Sequence, residues 1–257
     1  MDGRVRIGQV PLDRMRLNEV LWSIESLVAS DMGGRVLMPD VEQVVRAEHD
    51  KALREALATA ELSLAGSPAL VRAARVMGQP LPESRAGAEW LPPLARRACE
   101  RAWRVFVVAE RPGVAERTAC LLRDRYGVLA VGATSPRGPV DTWGQGVDRF
   151  LDRIALTRPQ LVLVSMATPK QELFCQYAAA HLQSAVLLGL GRTLESSWDE
   201  DRPAPRWRAL GRLGWRERCQ WLVTAPARLL HRKLSFFRIL LRARRPSRLA
   251  LPAGASS

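Results

Sequence analysis

Lys170, Gln171 and Glu172 stand together in Thr168-Pro169-Lys170-Gln171-Glu172, directly after the apolar run Leu161–Ser165. A cation, an amide and a carboxylate on one turn can hold a phosphate or sugar and move a proton. The same residues also suit an ordinary helix start, with proline in the first turn and an acid at the positive end of the helix dipole. Gly189 and Gly191 flank Leu190 after another apolar run. A Gly-x-Gly turn lets backbone approach a phosphate, but the pattern alone is weak. Further on, Arg228 and Arg232 are one helical turn apart and spaced to clamp a diphosphate, with Arg216 and Arg218 nearby; solvated surface arginine is the competing reading. His49, His181 and His231 are scattered, with neither ligand spacing nor a triad partner, and read as structural or surface residues. Cys99, Cys120, Cys175 and Cys219 form no CxxC pair, which predicts buried free thiols in a reducing cytoplasm and no metal site.

These residues need elements to position them. Strands are predicted at 35–38, 62–64, 104–109, 128–131, 161–165 and 185–188. Helices are predicted over 41–58 with a break near His49, and over 69–77, 91–102, 112–126, 147–155 and 169–180. Continuous apolar strands alternating with helices argue for an α/β fold whose mainly parallel sheet is covered on both faces. Ligands in such folds bind at the carboxyl ends of the strands. The pattern changes after Gly191. Residues 199–205 read as a polar, proline-bearing loop, followed by helices at 215–224 and 227–245 separated by Pro226. In the second helix Leu230, Leu234, Phe237 and Leu241 share a stripe, with Phe236 and Leu240 beside it, and Arg228, Arg232, Arg238 and Arg242 take the other side. Such a helix either lies in a membrane interface or covers the core with a basic outer face. Trp207, Trp215 and Trp221 are open to the same two readings. The expected division is a core over 1–198, a basic helical appendage over 199–245 and a loose tail over 246–257.

Charge separates these parts. Of the formal +13, residues from Asp201 onward contribute +12, from 14 Lys and Arg against 2 acids. The chain has three lysines (Lys51, Lys170 and Lys233), so the basic end is almost wholly arginine, suited to phosphates or an anionic membrane. Nucleic acid would satisfy the charge as well, but no RNA-binding motif or aromatic stacking platform accompanies it, so no nucleic-acid partner is expected. The 47% hydrophobic and 25% charged fractions are ordinary for a globular protein. No run approaches the roughly 18 apolar residues of a membrane span. Asp2, Arg4 and Arg6 open the chain with no apolar run behind them, so no cleaved secretory signal is expected.

Several segments, in order, resemble the WecG/TagA/CpsF glycosyltransferase family. Ile7-Gly8-Gln9-Val10-Pro11-Leu12-Asp13 is similar to its opening strand and turn, and Met38-Pro39-Asp40 with Glu42 to its Thr-Pro-Asn. Pro80-Leu81-Pro82-Glu83 with Ala86-Gly87 resembles a family connection, and Arg104-Val105-Phe106 with Pro112-Gly113-Val114-Ala115 resembles the strand and helix start that follow. Thr168-Pro169-Lys170-Gln171-Glu172 is the most specific match, close to small-Pro-Lys-Gln-Glu. Gly189-Leu190-Gly191, Ala204-Pro205-Arg206-Trp207 and Pro226-Ala227-Arg228-Leu229 through Arg232 complete the series, over roughly residues 5–243. The resemblance implies a Rossmann-like core that moves an N-acetylmannosamine-type sugar, or its uronic acid, from a UDP donor to a polyprenyl-diphosphate-linked sugar. Cell-surface polysaccharides such as teichoic acids are the implied products. It also implies that no metal or other cofactor is needed, that Gln171 takes part in the chemistry, and that the basic end sits near the acceptor's diphosphate. The location is then cytoplasmic, peripheral at the inner face of the plasma membrane.

Inverting transfer needs a base for the acceptor hydroxyl and charge stabilisation for the departing UDP. The carboxylate that the family uses falls here on Gly66, which cannot accept a proton. Three explanations stay open: another residue such as Asp40 supplies the carboxylate, the chemistry is carried otherwise, or the chain is a degenerate relative serving as a binding or assembly subunit. Asp40 is equally suited to cap a helix. Two more departures touch the donor region: Arg192-Thr193-Leu194-Glu195 replaces Ala-Ala-Phe-Asp, and Ala109-Glu110 replaces a Gly-Gly pair. The implied substrate-binding set is Gly66, Lys170, Glu172, Gly189, Gly191, Glu195, Arg228 and Arg232. A homo-oligomer is left open.

Overall fold

The computed structural model describes residues 4–82, 87–138, 144–195 and 234–241. Two short strands, β1 (Arg4–Ile7) and β2 (Val10–Asp13), form an antiparallel hairpin. Helix α1 (Leu17–Ala29) follows, then β3 (Gly34–Leu37), α2 (Val41–Ala47), α3 (Lys51–Ala58), β4 (Leu62–Ser63) and α4 (Pro68–Val76). The second half runs α5 (Leu91–Glu100), β5 (Arg104–Ala109), α6 (Val114–Tyr126), β6 (Leu129–Thr134), α7 (Gln145–Leu156), β7 (Leu161–Ser165), α8 (Lys170–His181) and β8 (Val186–Gly189). Among the described residues, β3 to β8 make one six-stranded sheet in the order β4-β3-β8-β7-β5-β6, with every pair parallel.

Alternation along the strands splits the core in two. Phe106, Val108, Val162, Val164, Leu187 and Leu37 face one apolar cluster with α2, α3, α4, α7 and α8. Val105, Val107, Leu161, Leu163, Val186 and Leu188 face the other, with α1, α5 and α6. Strands buried on both faces are why these runs read as continuously apolar in the sequence. Connections running toward β4 (β3 to β4, β6 to β7 and β7 to β8) place α2, α3, α7 and α8 on the first face. The opposite connection from β5 to β6 places α6 on the second, as a constant crossover handedness requires. The long β4-to-β5 connection puts α4 on the first face and α5 on the second. This is a Rossmann-like α/β fold.

The predicted helix over 41–58 does break: α2 ends at Ala47, and Asp50 starts α3 by accepting the Leu53 N–H at 3.0 Å. Helix α1 was not predicted, because its Val20, Leu21 and Ile24 stripe is short and its outer face carries Trp22, 64% exposed. The family-like opening segment is a full hairpin rather than one strand, its Val5, Ile7, Val10 and Leu12 all buried in the first cluster. Two thiols correct the expectation of burial: Cys175 is buried, but Cys99 and Cys120 are exposed on outward faces of α5 and α6. Cys219 lies outside the described residues.

Residues 234–241 form a helix against the first cluster through Ile239, 7% exposed, with Phe236 and Leu240 packed beside it. Leu234, Phe237 and Leu241 point outward, 53%, 59% and 49% exposed. The helix thus covers the core with Ile239 and with Phe236 and Leu240 from beside the predicted stripe, and leaves three members of the stripe to solvent. Among the described residues no helix is long and apolar enough to cross a membrane.

Candidate functional site

Adjacent strands β5 and β7 send their following helices to opposite faces, α6 to one and α8 to the other. Their carboxyl ends therefore flank the crevice at a topological switch point, where ligands of such sheets bind. Glu110 leaves β5 here, and Thr168 to Glu172 leave β7. Beside them lie the turns after β8, β3 and β4, bringing Gly191, Asp40 and Gly66 to the same edge of the sheet.

Asp40 caps α2. Its Oδ1 accepts the Glu42 N–H at 2.6 Å and the Gln43 N–H at 3.3 Å, while Gln43 Oε1 accepts the Asp40 N–H at 2.8 Å. This reciprocal capping box fixes the Gln43 amide: its oxygen must face a backbone donor, so its Nε2 turns inward to Glu172 Oε1, 3.2 Å away. Gln171 is fixed in the same way from the other side. Its Oε1 accepts the Gly191 N–H at 2.6 Å, so its Nε2 faces Glu172 Oε1 at 3.2 Å. Thr168 Oγ1 lies 3.3 Å and 3.2 Å from the two Glu172 oxygens. Glu172 thus ties together the turns after β3, β7 and β8.

Both Gln171 (2% exposed) and Glu172 (1%) are buried. Burial raises the Glu172 carboxyl above its ordinary value, opposed by hydrogen bonds from Gln43, its own backbone, Thr168 and Gln171. Its neighbour Cys175 is pushed up by burial, then by the Glu172 charge. Gly189 owes its small size to Gln171: an added Cβ would lie 2.8 Å from the Gln171 Nε2 and 3.0 Å from Leu37 Cδ2. Gly191 has φ +63°, the left-handed region, and a Cβ there would meet nothing within 4 Å. Its carbonyl accepts the Ser165 hydroxyl at 2.7 Å.

Lys170 opens α8 with its side chain 11% exposed. Its Nζ lies 3.3 Å from Glu110 Oε1 and donates to the Pro136 carbonyl at 3.1 Å. Glu110 Oε2 accepts the Ala167 N–H at 3.2 Å. Burial pushes the Glu110 carboxyl up, but the Ala167 amide, Lys170 and the charge of Arg192 outweigh it and hold it below its ordinary value.

Gly66 donates its N–H to the Pro39 carbonyl at 2.8 Å, so the turn after β4 rests on the turn that carries Asp40. A Cβ at position 66 would lie 2.9 Å from Pro39 O and closer still to Met38 O. The backbone approach, rather than a lost side chain alone, makes glycine the residue here. Next to it, the buried Ser67 Oγ makes no hydrogen bond among the described residues.

The structure therefore brings Asp40, Gly66, Lys170, Gln171, Glu172, Gly189 and Gly191 to one edge. Glu195 ends the 3-10 turn Gly191–Glu195 at that edge. Arg228 and Arg232 lie outside the described residues, as do Trp207, Trp215 and Trp221. His49 and His181 are exposed, the latter 3.5 Å from Asp148. The sequence reading missed Gln43, whose signal was the Asp40-x-x-Gln43 capping box, and Ser165, the polar end of an otherwise apolar strand. A surface groove bounded by Met15, Trp22, Leu27 and Glu61 lies elsewhere, beside the start of β4. Its acids are engaged, Glu19 by the Arg16 N–H and Glu61 by the Arg35 N–H. Among the described residues no three His, Cys, Asp or Glu are grouped to hold a metal.

A parallel sheet with a polar switch point, braced by the Pro-Lys-Gln-Glu turn and its neighbours, forms the edge at which such folds bind ligands. Comparison with known protein families matches residues 5–250 to the model of the glycosyl transferase WecG/TagA/CpsF family. With nearly its whole length matched, the chain belongs to the WecG/TagA/CpsF family of glycosyltransferases.

Proposed function

We propose that this glycosyltransferase moves an N-acetylmannosamine-type sugar, or its uronic acid, from a UDP donor to a polyprenyl-diphosphate-linked sugar, in cell-surface polysaccharide synthesis. The donor lies across the carboxyl ends of β5, β7 and β8. Asp40 is the base. The observation that carries this assignment is the contact between two turns: Gly66, where the family pattern has its carboxylate, donates its N–H to the carbonyl of Pro39, the residue directly before Asp40. Gln171 and Glu172, buried and committed to each other, act by positioning the turns after β7 and β8.

The acceptor's lipid places the work at the cytoplasmic face of the membrane. Support comes from the outward Leu234, Phe237 and Leu241, with exposed Arg238 among them, on a helix whose Ile239 packs beside Gly8 and Val44. Apolar side chains flanked by arginine suit an anionic interface. In this reading residues 1–198 are the catalytic core and 199–245 a basic appendage that holds the acceptor, with Arg228 and Arg232 on its diphosphate.

The test is UDP release from a panel of UDP-sugars, with and without a short-chain polyprenyl-diphosphate-N-acetylglucosamine acceptor. Acceptor-dependent release by the native chain, lost in Asp40→Asn, is the expected result. A second reading, a non-catalytic binding or assembly subunit, is favoured by Asp40 Oδ1 already serving as a helix cap. Donor binding without release under any acceptor would establish it.

A further inference from the structure

At the switch point the chain sets its own carboxylate, Glu110, against two hydrogen-bond donors and a nearby positive charge. The Ala167 amide comes from the turn after β7, the Lys170 ammonium from the first residue of α8, and the Arg192 charge from the turn after β8. Lys170 is also steadied by the Pro136 carbonyl after β6. A backbone N–H and a largely buried ammonium aimed at one point are what a ligand's phosphate requires. They stand in the crevice where such sheets bind ligands. Here the point is occupied by Glu110, whose two oxygens take one donor each. The Glu110 side chain is 30% exposed, so it has room to swing out, whereas Lys170 is 11% exposed and held.

We propose that Glu110 is a built-in competitor for an anion seat formed by the Ala167 amide and Lys170, and that the diphosphate of a nucleotide ligand binds there by displacing it. This rests on reading the carboxyl edge as the donor site. Displacement breaks an ion pair and leaves Glu110 near the incoming charge, so the chain binds diphosphate less tightly than its donors alone would allow. Glu110 thereby tunes donor affinity: a ligand must bring contacts beyond its phosphates to be retained.

Titration calorimetry on the full chain, with inorganic pyrophosphate and with UDP, tests this directly. Glu110→Gln keeps the side-chain size and an acceptor for the Ala167 amide but removes the charge. It is expected to bind pyrophosphate roughly tenfold more tightly than the native chain or better. Adding Lys170→Ala to that variant should abolish the gain, and thermal melts verify that each variant is folded. Binding by Glu110→Gln that equals or falls below native binding would overturn the proposal. So would a gain that survives the loss of Lys170, or no binding by any variant. The readout needs no sugar transfer. A chain that releases UDP from no donor, yet binds pyrophosphate more tightly as Glu110→Gln, would refute the transferase reading and leave this one standing.

Discussion

Asp40 caps α2 and is proposed as the base, and one substitution separates the two roles. Asparagine caps a helix about as well as aspartate but takes no proton. Asp40→Asn should therefore melt within about 0.5 kcal/mol of the native chain, while its transfer rate falls by about a hundredfold or more. Loss of stability without loss of rate would reduce Asp40 to a cap. Gly66 poses the reverse problem. Putting the family's acid back as Gly66→Asp drives a Cβ into the Met38 and Pro39 carbonyls, so the turn must move. Urea unfolding should show a cost of about 1–3 kcal/mol, nearly matched by Gly66→Ala, because the clash begins at Cβ. Glu172 predicts a pH effect. Its carboxyl is raised in the folded chain, so its contribution to stability is complete below the ordinary carboxylate value and is lost as pH rises through the folded value. Glu172→Gln should remove that decline in a series of urea melts across pH; an unchanged slope would show that Glu172 is not its source. Glu110 acts in the opposite window, since its carboxyl is lowered and its contribution is lost as pH falls.

At the scale of elements, the central strands were legible because burial on both faces leaves a continuous apolar run, as in Arg104–Ala109 and Leu161–Ser165. The break after Ala47 was legible as well, because Asp50 is a good cap. Helix α1 was not: its buried stripe is Val20, Leu21 and Ile24, and Trp22 breaks the pattern on the outer side. Nor could the sequence say which side of the helix at 234–241 would face the core, since Phe236, Ile239 and Leu240 are as apolar as Leu234, Phe237 and Leu241. Packing resolves it, and the resolution is testable. Ile239→Ala, which empties a buried site, should cost about 2–4 kcal/mol. Phe237→Glu should leave the melt nearly unchanged but abolish flotation with anionic liposomes. Flotation undiminished by Phe237→Glu would remove this face from membrane binding.

Over the whole molecule, the sheet collects residues from distant parts of the chain at one edge: Asp40, Gly66, Glu110, Lys170 to Glu172 and Gly191. Their grouping followed from the parallel topology, which puts every turn that leaves a strand's carboxyl end on the same side. The hydrogen-bond pattern did not follow. No spacing rule links Gln43 to Glu172, 129 residues on, or Glu110 to Lys170, 60 residues on. Those pairs exist because β3, β8, β7 and β5 are neighbours in space, and that order is not written locally in any segment. The charge imbalance belongs to this scale too, with +12 carried from Asp201 onward against a nearly neutral remainder. The proposed lipid-diphosphate acceptor would give such a basic end a partner.

Sugar transfer with Asp40 as base stands or falls on the UDP released by the full chain from UDP-N-acetylmannosamine. The measurement is made with and without the polyprenyl-diphosphate-linked acceptor, native chain beside Asp40→Asn. The expected result is release that requires the acceptor and falls about a hundredfold or more in the variant. Equal release by both chains, or none from the native chain with any UDP-sugar, would contradict it.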